Sequence, residues 1–187
     1  MNIACLGWGS LVWNPGVLPL RGSWHNDGPL LPIEFARQSG DGRITLVLVP
    51  GRQLVRSLWA MLEPSDLDEA KEKLRLREDI PKRNIDKNIG VWRKQDFLTE
   101  EEITHRIKTW AEPLGLDTVI WTALPPKFRG KGGLIPSAED VVKHLKSLKG
   151  DRAKNAEHYI RMAPKQIVTD YRQIIEARLK WTPYHYA

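Results

Sequence analysis

The segment Leu6-Gly7-Trp8-Gly9-Ser10-Leu11-Val12-Trp13 follows directly on an apolar run, Ile3-Ala4-Cys5-Leu6. Two glycines around one large aromatic, then a small hydroxyl residue, predict a turn at a strand end that lets a ligand approach the backbone. Glycine tolerates φ > 0 without a Cβ clash, and its missing side chain leaves N–H groups uncovered. Amides so arranged can cradle a carboxylate, a phosphate or a developing oxyanion. The alternative is a plain turn with Trp8 as core filling. The common glycine signatures do not fit. A dinucleotide fingerprint needs glycine or alanine where Val12 stands. A nucleophile elbow needs glycines in place of Trp8 and Val12, which argues against Ser10 as a hydrolase nucleophile. The run Arg129-Gly130-Lys131-Gly132-Gly133 lacks the first glycine and the Ser/Thr of a P-loop.

The second candidate is an acid. Proline 64 and the acids after it predict a helix from Ser65, with Ser65 and Asp68 at N-cap and N3 spacing. At about 100° per residue, Leu67, Ala70 and Leu74 share one face of that helix, and Glu78 lies four residues further along it. Glu69 and Glu72 point to solvent. A carboxylate on the core-facing stripe is costly unless paired or kept neutral, and partial burial raises its proton affinity toward that of a general acid/base. If the helix has already ended, Glu78 instead pairs with Arg75 or Arg77 at the surface.

The elements that would position these residues follow from hydrophobic patterning. Apolar, β-branched runs predict strands over 3–6, 33–37, 44–49, 54–62, 89–97 and 118–124, with a turn at Gly40-Asp41-Gly42. The glycine- and proline-rich stretch 15–31 reads as a long loop. Further helices are expected over 100–111, 138–148, 151–163 and 164–181. The last carries Ile167, Tyr171, Ile174, Ile175 and Leu179 on one stripe, with Pro164 suited to its first turn. Strands cluster early and helices late, without β-α-β alternation. The expected class is therefore α+β, a small mixed β-barrel or curved sheet flanked by helices. No repeat or low-complexity segment divides the chain, so a single domain over 1–187 is expected.

Composition narrows the function classes. The chain of 187 residues is 41% hydrophobic, enough for a sizeable core. No apolar stretch reaches the ~20 residues of a membrane span, and Met1-Asn2-Ile3 does not begin a secretory signal. The single cysteine, Cys5, lies in the first strand, excludes an internal disulfide framework and fits a reducing cytoplasm. His25, His105, His144, His158 and His185 show no metal-ligand spacing, so no metal site is expected. The net charge of +6 raises the question of nucleic acid. Basic residues are densest over Lys127, Arg129, Lys131, Lys143, Lys146, Lys149, Arg152 and Lys154. Elsewhere they alternate with acids, as on solvated helix faces, so no nucleic-acid partner is expected and a modest preference for anions is.

Taken together, the motifs resemble those of the γ-glutamylcyclotransferase superfamily, most nearly its ChaC-like, glutathione-specific branch. The family's Phe-Gly-Tyr-Gly-Ser-Leu-Ile-Trp has its counterpart in Leu6 to Trp13, and its Leu-x-x-Arg-Glu in Leu74-Arg75-Leu76-Arg77-Glu78. Ile120-Trp121-Thr122-Ala123 is similar to a later Val-Tyr-Ile-Ala strand, and Asn155-Ala156-Glu157-His158-Tyr159-Ile160 to an Asn-x-Glu-Tyr-Leu helix. The four matches come in the family's order and span most of the chain. The resemblance implies intramolecular aminolysis of a small γ-glutamyl substrate, giving 5-oxoproline and a free amine, with no cofactor. Glu78 would be general base and then acid. Gly7, Trp8, Gly9, Ser10 and Leu11 would bind the glutamyl group, with Trp121 also lining the site. Trp8 and Trp121 stand in place of tyrosines, exchanging phenolic O–H groups for indole N–H groups that only donate. Asp79-Ile80-Pro81-Lys82 stands where the branch often has Gly-Gly-Tyr. A cyclotransferase-like binding or regulatory module without turnover, for an anionic metabolite or protein partner, is the alternative.

Overall fold

A computed structural model describes residues 1–96 and 101–184. The expected strand end at Phe97, helix start at Glu100, and His185 lie outside them. The chain is a mixed α+β protein with a curled sheet and flanking helices. It divides into two compact units, the first built from 1–7, 14–31 and 56–124, the second from 8–13, 32–55 and 125–187.

The first unit is organised on strands β1 (Ile3–Gly7), β2 (Leu20–His25), β6 (Leu58–Leu62), β7 (Ile89–Arg93) and β8 (Thr118–Thr122), in the order β2-β6-β1-β8-β7. β1 runs antiparallel to β6 and parallel to β8, and all five of its residues are buried. That is why its sequence is a continuous apolar run rather than an alternating one. β2 corrects the expected long loop. It is an edge strand, mostly exposed, with a register shift between Arg21 and His25, so it carries no apolar signature.

The expected strand over 54–62 is likewise two strands, β5 (Leu54–Arg56) and β6, broken at the fully buried Ser57. Ser57 donates both its N–H (3.1 Å) and its hydroxyl (2.8 Å) to Pro29 O and accepts from Gly28 N at 3.1 Å. Its backbone is thus spent on a neighbouring segment.

Helix α1 (Leu67–Arg77) begins one residue later than expected. Asp66, not Ser65, is the N-cap, accepting from Glu69 N at 3.0 Å. Acids fill its first turn and arginines its last, as the helix dipole favours. After a short 3-10 turn (Lys82–Asn84) and α2 (Ile85–Asn88) comes β7, then α3 (Glu102–Ala111), which packs on β7. α1 packs on β7 and β8.

In the second unit a sheet runs β10 (Lys131–Gly132), β9 (Lys127–Phe128), β3 (Leu30–Gln38), β4 (Ile44–Leu48). Its helices are α4 (Ala138–Ser147), α5 (Gly150–Met162) and α6 (Asp170–Leu179). The last expected helix starts at Asp170 rather than 164, because Thr169 caps it by accepting from Arg172 N, and 164–169 form turns. Arg172 is 2% exposed and donates to the carbonyls of Ala163, Pro164 and Ile167 as well as to Glu176. A buried guanidinium is tolerable only with its donors used in this way, and its charge also suits the C-terminal end of α5. Glu34, 1% exposed, faces the N-terminal end of α6. It accepts from Thr169 Oγ1, from Tyr171 N at 3.3 Å and from Phe35 N at 2.8 Å.

Gly90 on β7 faces Trp121 on β8. A Cβ at position 90 would stand 2.0–2.4 Å from Trp121 ring atoms, so the indole lies directly against glycine backbone. Gly90→Ala is expected to destabilise the protein by about 1–3 kcal/mol through overpacking, read as a lower urea midpoint at unchanged slope. Adding Trp121→Leu is expected to recover part of the loss.

Candidate functional site

Glu78 is the C-cap of α1: the helix has ended, and the residue nonetheless remains largely out of water. Its N–H donates to Leu74 O at 3.0 Å, Asp79 N to Leu76 O at 3.4 Å, and Ile80 N to Arg75 O at 3.0 Å. Those two closing bonds are the 5→2 and 6→1 pair of a Schellman turn, and the buried Ile80 is its apolar anchor. Asp79 occupies the left-handed position at φ 51°, where glycine is usual.

Both expectations for Glu78 are partly met. It pairs with Arg77, Nη1 to Oε1 at 3.0 Å, yet its side chain is only 17% exposed and that of Arg77 13%. Arg77 is held from its other side, Nε donating to Asn14 O at 2.8 Å. Burial pushes the Glu78 carboxyl above the usual carboxylate range, against the opposing pull of Arg77. Cys5, fully buried in β1, has its thiol pushed far up by burial first and by the Glu78 charge second. It is therefore an inert thiol beside the acid.

Gly7 is the last residue of β1, paired across β6 with Leu58. Trp121 is 6% exposed. Glu78, Gly7 and Trp121 thus belong to the first unit, and Trp8 to Leu11 to the second.

In the second unit the turn closes with Val12 N donating to Gly9 O at 2.9 Å. Trp8 is 5% exposed and its Nε1 donates to Leu46 O at 3.3 Å. The Leu46 N–H donates in turn to the Tyr159 hydroxyl at 3.3 Å. β4 is a sheet edge, and these two aromatics satisfy the outward backbone groups of Leu46 there. Leu11 is buried and Ser10 half-buried.

The structure corrects the reason for the glycines: neither Gly7 nor Gly9 takes a positive φ. Gly9 is required by contact, since a Cβ there would stand 2.5 Å from the Tyr159 hydroxyl. Trp13 meets the Tyr159 ring edge-on at 5.4 Å, and the Arg43 guanidinium lies 5.5 Å from its centroid.

Tyr159, Glu34 and Arg172 were assigned no role in the sequence. Burial is the largest influence on the Glu34 carboxyl and pushes it up, against its three hydrogen-bond donors. Its one sequence signal is an acid inside the apolar run 33–36. Among the described residues no three His, Cys, Asp or Glu side chains are grouped to hold a metal, and no helix is long and apolar enough to cross a membrane. No family model matches this sequence, and no curated protein matches it.

An acid with raised proton affinity in the native state binds its proton more readily folded than unfolded. Its burial therefore costs nothing below the ordinary glutamate range and costs progressively more as pH rises from there to the raised native value. Glu78→Gln is accordingly expected to match the parent protein in thermal midpoint at acid pH and to exceed it by a few degrees at neutral pH. Melts of both proteins across this range check it. A variant that loses stability as pH rises would mean that the Arg77 pair outweighs burial.

Proposed function

We propose that this chain is a γ-glutamylcyclotransferase-type enzyme of the cytoplasm, converting a small γ-glutamyl compound to 5-oxoproline and a free amine. The observation that carries the reading is Glu78, a carboxylate mostly withdrawn from water, raised in proton affinity and fixed by Arg77. A group of that kind can accept a proton and return it within one reaction cycle. Two further features support it: the order of the four motifs along the chain, and the left-handed backbone of Asp79, where the resembling motif often has glycine.

The chemistry asks for little else. The α-ammonium of the glutamyl group gives one proton to Glu78, and the freed amine attacks the side-chain carbonyl carbon of the same molecule. A C–N bond forms and the carbonyl oxygen takes the electron pair. As the tetrahedral intermediate collapses, the bond to the leaving nitrogen breaks and Glu78 returns its proton there. The ring nitrogen gives up its second proton as the leaving amine becomes an ammonium, so one ammonium enters and one leaves. Because the reacting groups share one molecule, the protein chiefly selects the folded rotamer. In this reading the amides of the Gly7–Leu11 turn hold the glutamyl group.

A second reading has its own observation. The Trp8 indole N–H is spent on Leu46 O, so the turn's aromatic has no donor left for a ligand. That weighs against Trp8 taking part in turnover, and so toward a module that binds an anionic metabolite or a protein through other groups without turning it over.

Incubation with glutathione and other γ-glutamyl peptides is expected to release 5-oxoproline, detected by mass spectrometry. Glu78→Gln is expected to lower turnover by about 10²–10⁴ with the fold intact. The acid limb of the rate profile is expected above the ordinary glutamate range, because the base works only when deprotonated. Full activity in Glu78→Gln would remove this residue from the chemistry. Absence of product from every γ-glutamyl compound tried would favour the binding module.

A further inference from the structure

The first unit also contains a cavity that Glu78 does not line. Its volume, about 520 Å³, lies within the roughly 300–1,000 Å³ typical of sites for small organic ligands. Helix α3 supplies one wall with His105, Arg106 and Trp110, and the other comes from Pro29 and Leu30 together with Arg56.

The aromatic wall is set before any ligand arrives. Trp110 Nε1 donates to Asp27 O at 2.9 Å, and its ring meets Trp59 edge-on at 5.4 Å. Trp59 is fixed in turn, donating to Asp27 Oδ1 at 2.8 Å and stacking on His25 at 4.4 Å. A ligand stacking on Trp110 would therefore spend little on ordering it. Leu30 is 39% exposed, an apolar surface left uncovered beside the cavity.

The polar wall is cationic. Arg106 places Nε and Nη2 on Glu102 Oε1, at 3.0 and 2.9 Å, and Arg56 Nη1 donates to Gly28 O at 3.1 Å. Glu102, the one acid among the described residues that line the cavity, pairs with Arg106, and His105 stands one residue from Arg106. A neutral hydrocarbon would strip water from those guanidinium groups and return nothing, whereas a bare inorganic ion would leave the Trp110–Leu30 surface wet.

We propose that this cavity binds a small aromatic anion, a flat ring carrying a single carboxylate or phosphate. The ring lies between Trp110 and the Pro29–Leu30 segment, and the anionic group is turned toward Arg106 and Arg56. Guanidinium groups suit both oxyanions, since each offers paired oxygens to a planar fork. The site is separate from the proposed proton-transfer chemistry and stands whether or not Glu78 turns anything over.

Two-dimensional NMR of the full chain, following the Trp110 indole N–H, tests this. Phenyl phosphate and benzoate are titrated beside benzyl alcohol and inorganic phosphate, and the tighter of the first two identifies the preferred anionic group. Saturable shifts are expected for at least one aryl anion, with the alcohol and inorganic phosphate at least about tenfold weaker. Arg106→Gln is expected to weaken the aryl anion by about tenfold with an unchanged melting curve. Thr109→Trp, which fills the cavity from its lining, is expected to abolish the shifts. The assignment is overturned if neither aryl anion saturates by about 10 mM, or if benzyl alcohol or inorganic phosphate binds equally well. It is also overturned if either variant binds as the parent protein does.

Discussion

A carboxylate taken out of water loses several kcal/mol of hydration, and only a nearby positive charge or a proton can restore it. At Glu78 the charge is in place. Arg77 supplies the charge and is itself pinned to Asn14 O, so it cannot swing out to solvent and take the acid with it. The remaining deficit appears as raised proton affinity. The Schellman turn matters because it stops the helix between Arg77 and Glu78. One further residue of α-helix would rotate the acid's successor by about 100° and redirect the chain that follows. Local backbone geometry at Asp79 and the protonation behaviour of Glu78 are thus one problem with one solution.

The second unit meets a similar demand by other means. β4 is an edge strand, yet Leu46 spends its outward N–H and C=O on two aromatic side chains, Tyr159 and Trp8. An edge used in this way offers less to a foreign strand. Arg172 collects three carbonyls where α5 ends, and Glu34 collects donors where α6 begins, so the cation and the anion each sit where a helix terminus leaves groups unpaired. The contacts of Leu46, and those of Glu34 with Thr169 and Tyr171, join residues far apart in sequence, whereas Arg172 reaches back only to carbonyls just ahead of α6.

That distinction accounts for what could be read in advance. β1, β4 and β8 are legible as apolar runs because they are buried in sheets, and α1 because its stripe, cap acids and terminal arginines agree with one another. The burial of Glu78 followed from its position four residues beyond Leu74. β2 was invisible because an exposed, bulged edge strand needs no apolar side chains, and the break at Ser57 because its partners lie at Gly28 and Pro29. The cap moved from Ser65 to Asp66 because either residue type can accept the bond. For the opening turn, the residues were legible and their reason was not. Gly9 is small to admit the Tyr159 hydroxyl, a constraint that exists only once α5 is in place. Glu34 and Arg172 were missed because their burial depends on the second unit closing, which no periodicity records.

Glu34 has a consequence for how the protein comes into being. Its carboxylate leaves the ribosome long before Thr169 and Tyr171, which lie more than a hundred residues downstream and supply two of its three donors. Until they emerge, β3 must keep that acid hydrated, and the layer meant to enclose it stays open. The first unit has all its segments by residue 124, whereas the second must wait for nearly the whole chain. Translation therefore imposes an order on assembly, and the nascent second unit is the part most exposed to chaperones and to misassociation.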